Sequence, residues 1–137
     1  MHPTYNSSNE APLVGTLTRA QILDLPSWQA AFEHSTATGA LAGSPGAEVV
    51  VYLGTWCGDS RREVTRLWRA LDAAPAPFTL RYVGVDRDKQ VPASEGDVDL
   101  QRVPTFVVRR EGREIGRIVE HAPRGIEIEL TEILTQP

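Results

Sequence analysis

The chain has 137 residues, 41% of them hydrophobic and 23% charged, which is enough for one domain with one core and too few for a second full domain. That composition excludes general disorder and the fibrous classes. Its net charge of −4 and lack of a basic stripe argue against nucleic-acid or anionic-membrane partners, which need concentrated Lys and Arg to offset phosphate.

Residues 1–15 are polar, hold Pro3 and Pro12 and show no periodicity, so they read as a flexible or loosely docked arm without chemistry, ahead of one domain over 16–137. The same stretch lacks the charged and apolar regions of a signal peptide, and no apolar run nears the ~20 residues a membrane span needs. The expected location is therefore cytoplasmic, although a chain whose leader had been removed would read the same way. Thr18-Arg19-Ala20-Gln21 has the form of a capping box, and Trp28, Ala31, Phe32 and Ser35 follow at helical spacing. These predict a helix over about 19–38, interrupted at Pro26.

"EVVVYLG", Glu48–Gly54, is too continuous for a half-exposed strand and predicts a central one, buried on both faces. After the cysteine comes a second helix with Val64, Leu67, Trp68 and Leu71 on one face and Arg62, Glu63, Arg66 and Arg69 elsewhere, ending before "DAAPAP". Phe78–Val85 is the next strand, expected parallel to the first because strand, helix and strand form one βαβ unit. Residues 86–102 are acidic with Gly and Pro, and the 86–99 stretch is expected to be solvated surface rather than a lid. Thr105–Arg110 and Glu114–Val119 flank "REGR", a hairpin signal. In the tail, Ile126, Ile128 and Leu130 alternate like a strand, whereas Ile126, Leu130, Ile133 and Leu134 are spaced like a helix. The helix is preferred, beginning near Pro123 and covering an otherwise bare sheet face.

Chemistry concentrates in "GTWCGDSRRE". Cys57 is the only cysteine, so no internal disulfide exists, and with three scattered histidines there is no zinc pattern. Lying between a buried strand and a helix, it sits where free N–H groups and about half a unit of positive charge favour an anion. Thiolate is the species that attacks disulfides. Trp56 offers a flat apolar wall, and Gly58 lets a partner backbone come close. Asp59 opposes the anion, while Arg61 and Arg62 stand near enough to counter it, so the net effect stays open.

"WCGDS" resembles the W-C-G-P-C of the thioredoxins, and "RVPTFVV" is similar to that family's segment in which a cis-proline opens the hairpin opposite the cysteine. The resemblance spans about residues 19–135 and implies an α/β, thioredoxin-like fold with a central mixed sheet of about four strands flanked by helices. It also makes Val103-Pro104 the candidate cis bond. Alone, Pro104 reads as a trans residue opening an edge strand. The resemblance implies that Val103, with Pro104 and Thr105, offers backbone to an extended peptide.

Two departures limit the analogy. Ser60 stands where the family's second, resolving cysteine would be, so the intramolecular release of a mixed disulfide is missing. Val51 stands where many thioredoxins carry a buried acid. Counting from the hairpin, Glu120 and His121 fall in the loop beside the proline. His121 is either an aid to proton transfer at Cys57 or an exposed loop histidine. His2 and His34 have no neighbours that suggest a role.

The expected function is monothiol exchange. Cys57 attacks a disulfide-containing protein or accepts a small thiol, with Ser60 hydrogen-bonding the sulfur and an external thiol such as glutathione resolving the adduct. No bound cofactor or metal is expected. The competing expectation is a redox-inactive binding module for extended peptides or partner proteins. A cluster ligand shared between two protomers is a remote third.

Overall fold

The computed structural model describes residues 10–74 and 78–137. The elements in chain order are β1 (Gly15–Leu17), α1 (Arg19–Leu23), α2 (Pro26–His34), β2 (Ala47–Leu53), α3 (Gly58–Ala73), β3 (Thr79–Gly84), β4 (Thr105–Arg110), β5 (Arg113–Val119) and α4 (Ile126–Leu134). A single turn of 3₁₀-helix at Ala93–Glu95 lies between β3 and β4. The sheet has five strands in the order β1-β3-β2-β4-β5. Strands β2 and β3 are parallel, as the βαβ reading required, and the remaining pairs are antiparallel. The expectation of about four strands missed β1, a three-residue edge strand too short to alternate visibly.

Local chemistry explains the boundaries. Thr18 and Gln21 form both bonds of the capping box at α1, and Pro26 occupies the first turn of α2, where its missing N–H costs nothing. Helix α3 runs to Ala73, slightly beyond its expected end, and of the expected break over 72–77 the residues 75–77 lie outside the described ones. The last helix starts at Ile126 behind Gly125 rather than at Pro123. Gly125 has φ +108°, and a Cβ there would meet Arg66 Nη2 at 2.6 Å, so backbone conformation and close packing both call for glycine.

The period of two along β2 sorts the core into two layers. Val49, Val51 and Leu53 face the helices and pack with Ile22, Trp28, Val64, Leu67, Trp68, Ile126 and Leu130. Helix α4 therefore shares a face with α3 instead of covering the bare one. Val50 and Tyr52 point the other way and are covered by Val98, with Val91 and Leu100 packed alongside. The acidic 86–99 stretch is thus docked over the second face of the sheet, not simply solvated. Tyr52 Oη donates to Glu95 Oε1 at 3.1 Å, Arg81 pairs with Glu95 at 2.6 Å, and Arg117 Nη2 donates to the Val98 carbonyl at 3.0 Å. A few apolar side chains and these polar ties replace a helix layer.

The amino-terminal stretch also differs from expectation where it is described. The backbone N–H and hydroxyl of Ser27 both donate to the Glu10 carboxylate, and Leu13 N–H donates to Thr55 Oγ1 at 3.2 Å. Residues 10–15 are tied down beside the cysteine turn. Residues 1–9, which complete the expected arm and include His2, lie outside the described residues.

Candidate functional site

Cys57 is the N-cap of α3, with extended φ and ψ of −100° and 124°. The chain must turn there from a buried strand into a helix within four residues, and several bonds fix that turn. Cys57 N–H donates to the Gly54 carbonyl at 2.9 Å, and Arg61 N–H donates to the Cys57 carbonyl at 3.1 Å. The Thr55 carbonyl accepts from Trp28 Nε1 at 2.9 Å and from Arg61 Nη1 at 3.2 Å. Trp56 Nε1 donates to the Val85 carbonyl at 2.9 Å. A Cβ at Gly54 would lie 2.6 Å from Trp56 Cε2, so the indole can lie over the turn only if residue 54 is glycine. Arg87 and Lys89 stand over the same ring, 5.3 and 5.9 Å from its centroid.

The second limb is the entry to β4. The Val103-Pro104 peptide bond is cis, Glu120 N–H donates to the Pro104 carbonyl at 2.6 Å, and Thr105 Oγ1 donates to the Arg102 carbonyl at 2.7 Å. The two limbs meet at the sulfur, where Cys57 Sγ–H donates to the Val103 carbonyl at 3.6 Å. Val103, Pro104 and Thr105 are buried, Cys57 and Trp56 are partly exposed, and Gly58 is open to solvent. The sulfur therefore has a polar neighbour, in a residue that is itself partly exposed.

Ser60 differs from the role expected of it. Its side chain is wholly buried, and its Oγ accepts the Gly54 N–H at 3.1 Å. The hydroxyl thus ties the end of β2 to the first turn of α3, while the sulfur bonds to Val103. Asp59 pairs with Arg62 at 2.8 Å, and Arg62 also reaches Glu63 at 3.1 Å. Arg61 turns back to the Thr55 carbonyl instead.

Glu120 and His121 lie on the proline side of the site, but the described contacts take them elsewhere. Glu120, at φ 68°, pairs loosely with Arg102 at 3.7 Å. His121 Nδ1 lies 3.2 Å from Glu63 Oε2 and is largely exposed, bridging the loop before α4 to α3. Glu63, which the sequence pattern put on the polar side of α3, is buried. It stands four residues before Leu67 and seven before Ala70, so the helical stripe carried the signal. The role of Thr55 as a hub had no comparable signal, because a carbonyl is the same in every residue type.

At the start of α4, packed against α3, Glu127 is fully buried. It accepts Arg66 Nε and Nη2 at 2.8 and 2.9 Å and the N–H groups of Thr38 and Gly39 at 2.8 and 3.2 Å. Burial raises its pKa, but the Arg66 and backbone hydrogen bonds outweigh that effect and hold it at about 2. Val51 is wholly buried among apolar neighbours. Among the described residues, no group of three or more His, Cys, Asp or Glu side chains is placed to hold a metal, and no helix is long and apolar enough to cross a membrane.

No family model matches the chain. Over 79 residues it is 29% identical to mitochondrial thioredoxin-3 of Saccharomyces cerevisiae, a stretch that is 58% of this chain and 59% of that protein. The chain therefore matches less than two thirds of the length of this curated relative. The fold is that of the thioredoxin-like superfamily. The chain holds a single cysteine, with Ser60 after the W-C-G-D. Two solved thioredoxins are similar at lower identity. The Malassezia sympodialis protein Mala s 13 has a TM-score of 0.46 and 21% identity, with 74% of this chain and 91% of that one covered. Oxidised mitochondrial thioredoxin 3 of Saccharomyces cerevisiae has a TM-score of 0.41 and 19% identity, with 76% and 96% covered.

Proposed function

We propose that this thioredoxin-like chain carries out thiol–disulfide exchange with one sulfur. The Cys57 thiolate attacks a disulfide, forming a Cys57 mixed disulfide while the other sulfur leaves with the electron pair of the broken bond. An external thiol, glutathione or a similar small thiol, then attacks the adduct and frees Cys57. The observation that carries this reading is the placement of a partly exposed Cys57 at the start of α3, within hydrogen-bond reach of the Val103 carbonyl. The similarity to a thioredoxin supports redox chemistry of this general kind. The buried Ser60, bonded to the Gly54 N–H, leaves resolution to an outside thiol.

A disulfide-bonded peptide is expected to bind with its backbone along Val103, beside Pro104 and Thr105, with Trp56, Gly58 and Asp59 bordering its sulfur. His121 is assigned no proton-transfer role, because its ring is engaged with Glu63.

The test is incubation with oxidised glutathione and with a disulfide-bonded peptide, followed by intact-mass analysis. Exchange predicts a single adduct that maps to Cys57, is absent in Cys57→Ser and is reversed by added thiol. One observation favours a binding module instead: the second motif position serves the backbone rather than the sulfur. An intact protein that forms no adduct would select that reading.

A further inference from the structure

A cavity of about 480 Å³ opens between the end of α2 and the exposed face of α3, starting at Gly58, the residue after the cysteine. Its lining includes His34, Thr36, Gly58, Arg61, Arg62 and Arg66, and contains no carboxylate. The volume lies in the range of small-molecule sites.

The three guanidiniums are not equivalent. Arg62 is shared between Asp59 and Glu63, and Arg66 is held in a forked pair by Glu127. Arg61 makes no ion pair among the described residues. It bonds only to the Thr55 carbonyl, and its Nη2 would be 3.7 Å from a Cβ at Gly58. An uncompensated cation therefore stands over the open backbone next to Cys57, at the mouth of a basic cavity. His34 is on the same wall.

The geometry points to a subsite for the carboxylates of a small anionic disulfide or thiol, held by Arg61 with Arg62 and Arg66 behind it while its sulfur exchanges at Cys57. This rests on the exchange reading above and names the class of its small co-substrate. A guanidinium fork matches a carboxylate in shape and charge. Neutral disulfides, and cationic ones above all, lack that anchor.

Two measurements test the subsite separately from the exchange. In the first, rates of Cys57 adduct formation are compared for oxidised glutathione, hydroxyethyl disulfide and cystamine. The subsite predicts that the glutathione to hydroxyethyl disulfide rate ratio falls about tenfold in Arg61→Gln, the scale of one lost hydrogen bond to a charged group, and recovers in part in Arg61→Lys. A ratio equal in all three proteins overturns it.

In the second, ¹⁵N NMR follows S-methylglutathione, which cannot exchange, added to full-length Cys57→Ser. Saturable shifts at residues 34–36 and 58–66 that disappear on adding Arg61→Gln support the subsite even if no mixed disulfide ever forms. No shifts there, with exchange intact, would remove the subsite and leave the exchange reading standing.

Discussion

Replacing Glu127 by Gln keeps the shape of the side chain and removes its charge. The carboxylate accepts four hydrogen bonds, from Arg66 Nε and Nη2 and from the N–H groups of Thr38 and Gly39. They join α3, the loop after α2 and α4. Burial raises the carboxyl pKa, yet these donors bring it from 4.5 to about 2, a difference of about 2.5 units or about 3 kcal/mol of folding stability.

The sign follows from proton binding. Between about pH 2 and 4.5 the unfolded chain binds a proton at this site that the folded chain does not, so the contribution is complete above the unfolded value and falls away as pH drops toward the folded one. Urea unfolding of the wild type and Glu127→Gln at pH 7 should therefore differ by about 3 kcal/mol, and at pH 3 by roughly half that or less. Other carboxyl groups titrate alike in both proteins and cancel in the difference. A gap below about 1 kcal/mol at pH 7, or one that stays constant down to pH 3, would refute the reasoning.

Ser60→Ala removes the side-chain acceptor of the buried Gly54 N–H, and urea unfolding should show a loss of about 1–3 kcal/mol; no change would mean that water or a shifted backbone satisfies that group. Gly54→Ala places a methyl 2.6 Å from the Trp56 ring, so Trp56 fluorescence should shift in the folded protein as the indole is displaced, whereas an unchanged spectrum would contradict the packing described. Val98→Ala opens the layer over Val50, Tyr52 and Val107 and should cost about 1–2 kcal/mol with faster amide exchange across 86–100. Equal protection in both proteins would restore the view of that stretch as solvated surface.

The parts of the fold that were legible in the sequence are those with strong local signals. The β-branched run of β2, the capping box at Thr18, the apolar stripe of α3 and the Gly-centred hairpin each express a period or a cap that needs no tertiary context. Features that depend on distant partners were not legible. Strand β1 is recognisable only by its pairing with β3. The 86–99 stretch carries its apolar contacts on isolated residues, Val91 and Val98, diluted among acids, and so reads as solvated although it covers a sheet face.

At the site, the sequence motif located Cys57 and the Val103-Pro104 segment as neighbours, and the structure joins them through the sulfur and a carbonyl. It misled at Ser60, whose hydroxyl serves a backbone group six residues away in sequence. It also missed the contact of Glu63 with His121, because the helical stripe that marks Glu63 as buried gives no sign of which neighbour will cover it.

The central claim concerns one sulfur, so the most direct measurement is intact-mass analysis of the wild type and Cys57→Ser after exposure to oxidised glutathione, before and after addition of reduced thiol. The account predicts one glutathione adduct on the wild type, none on Cys57→Ser, and full return to the starting mass with thiol. A folded wild-type protein that stays unmodified, or an adduct that external thiol does not remove, would contradict exchange at Cys57.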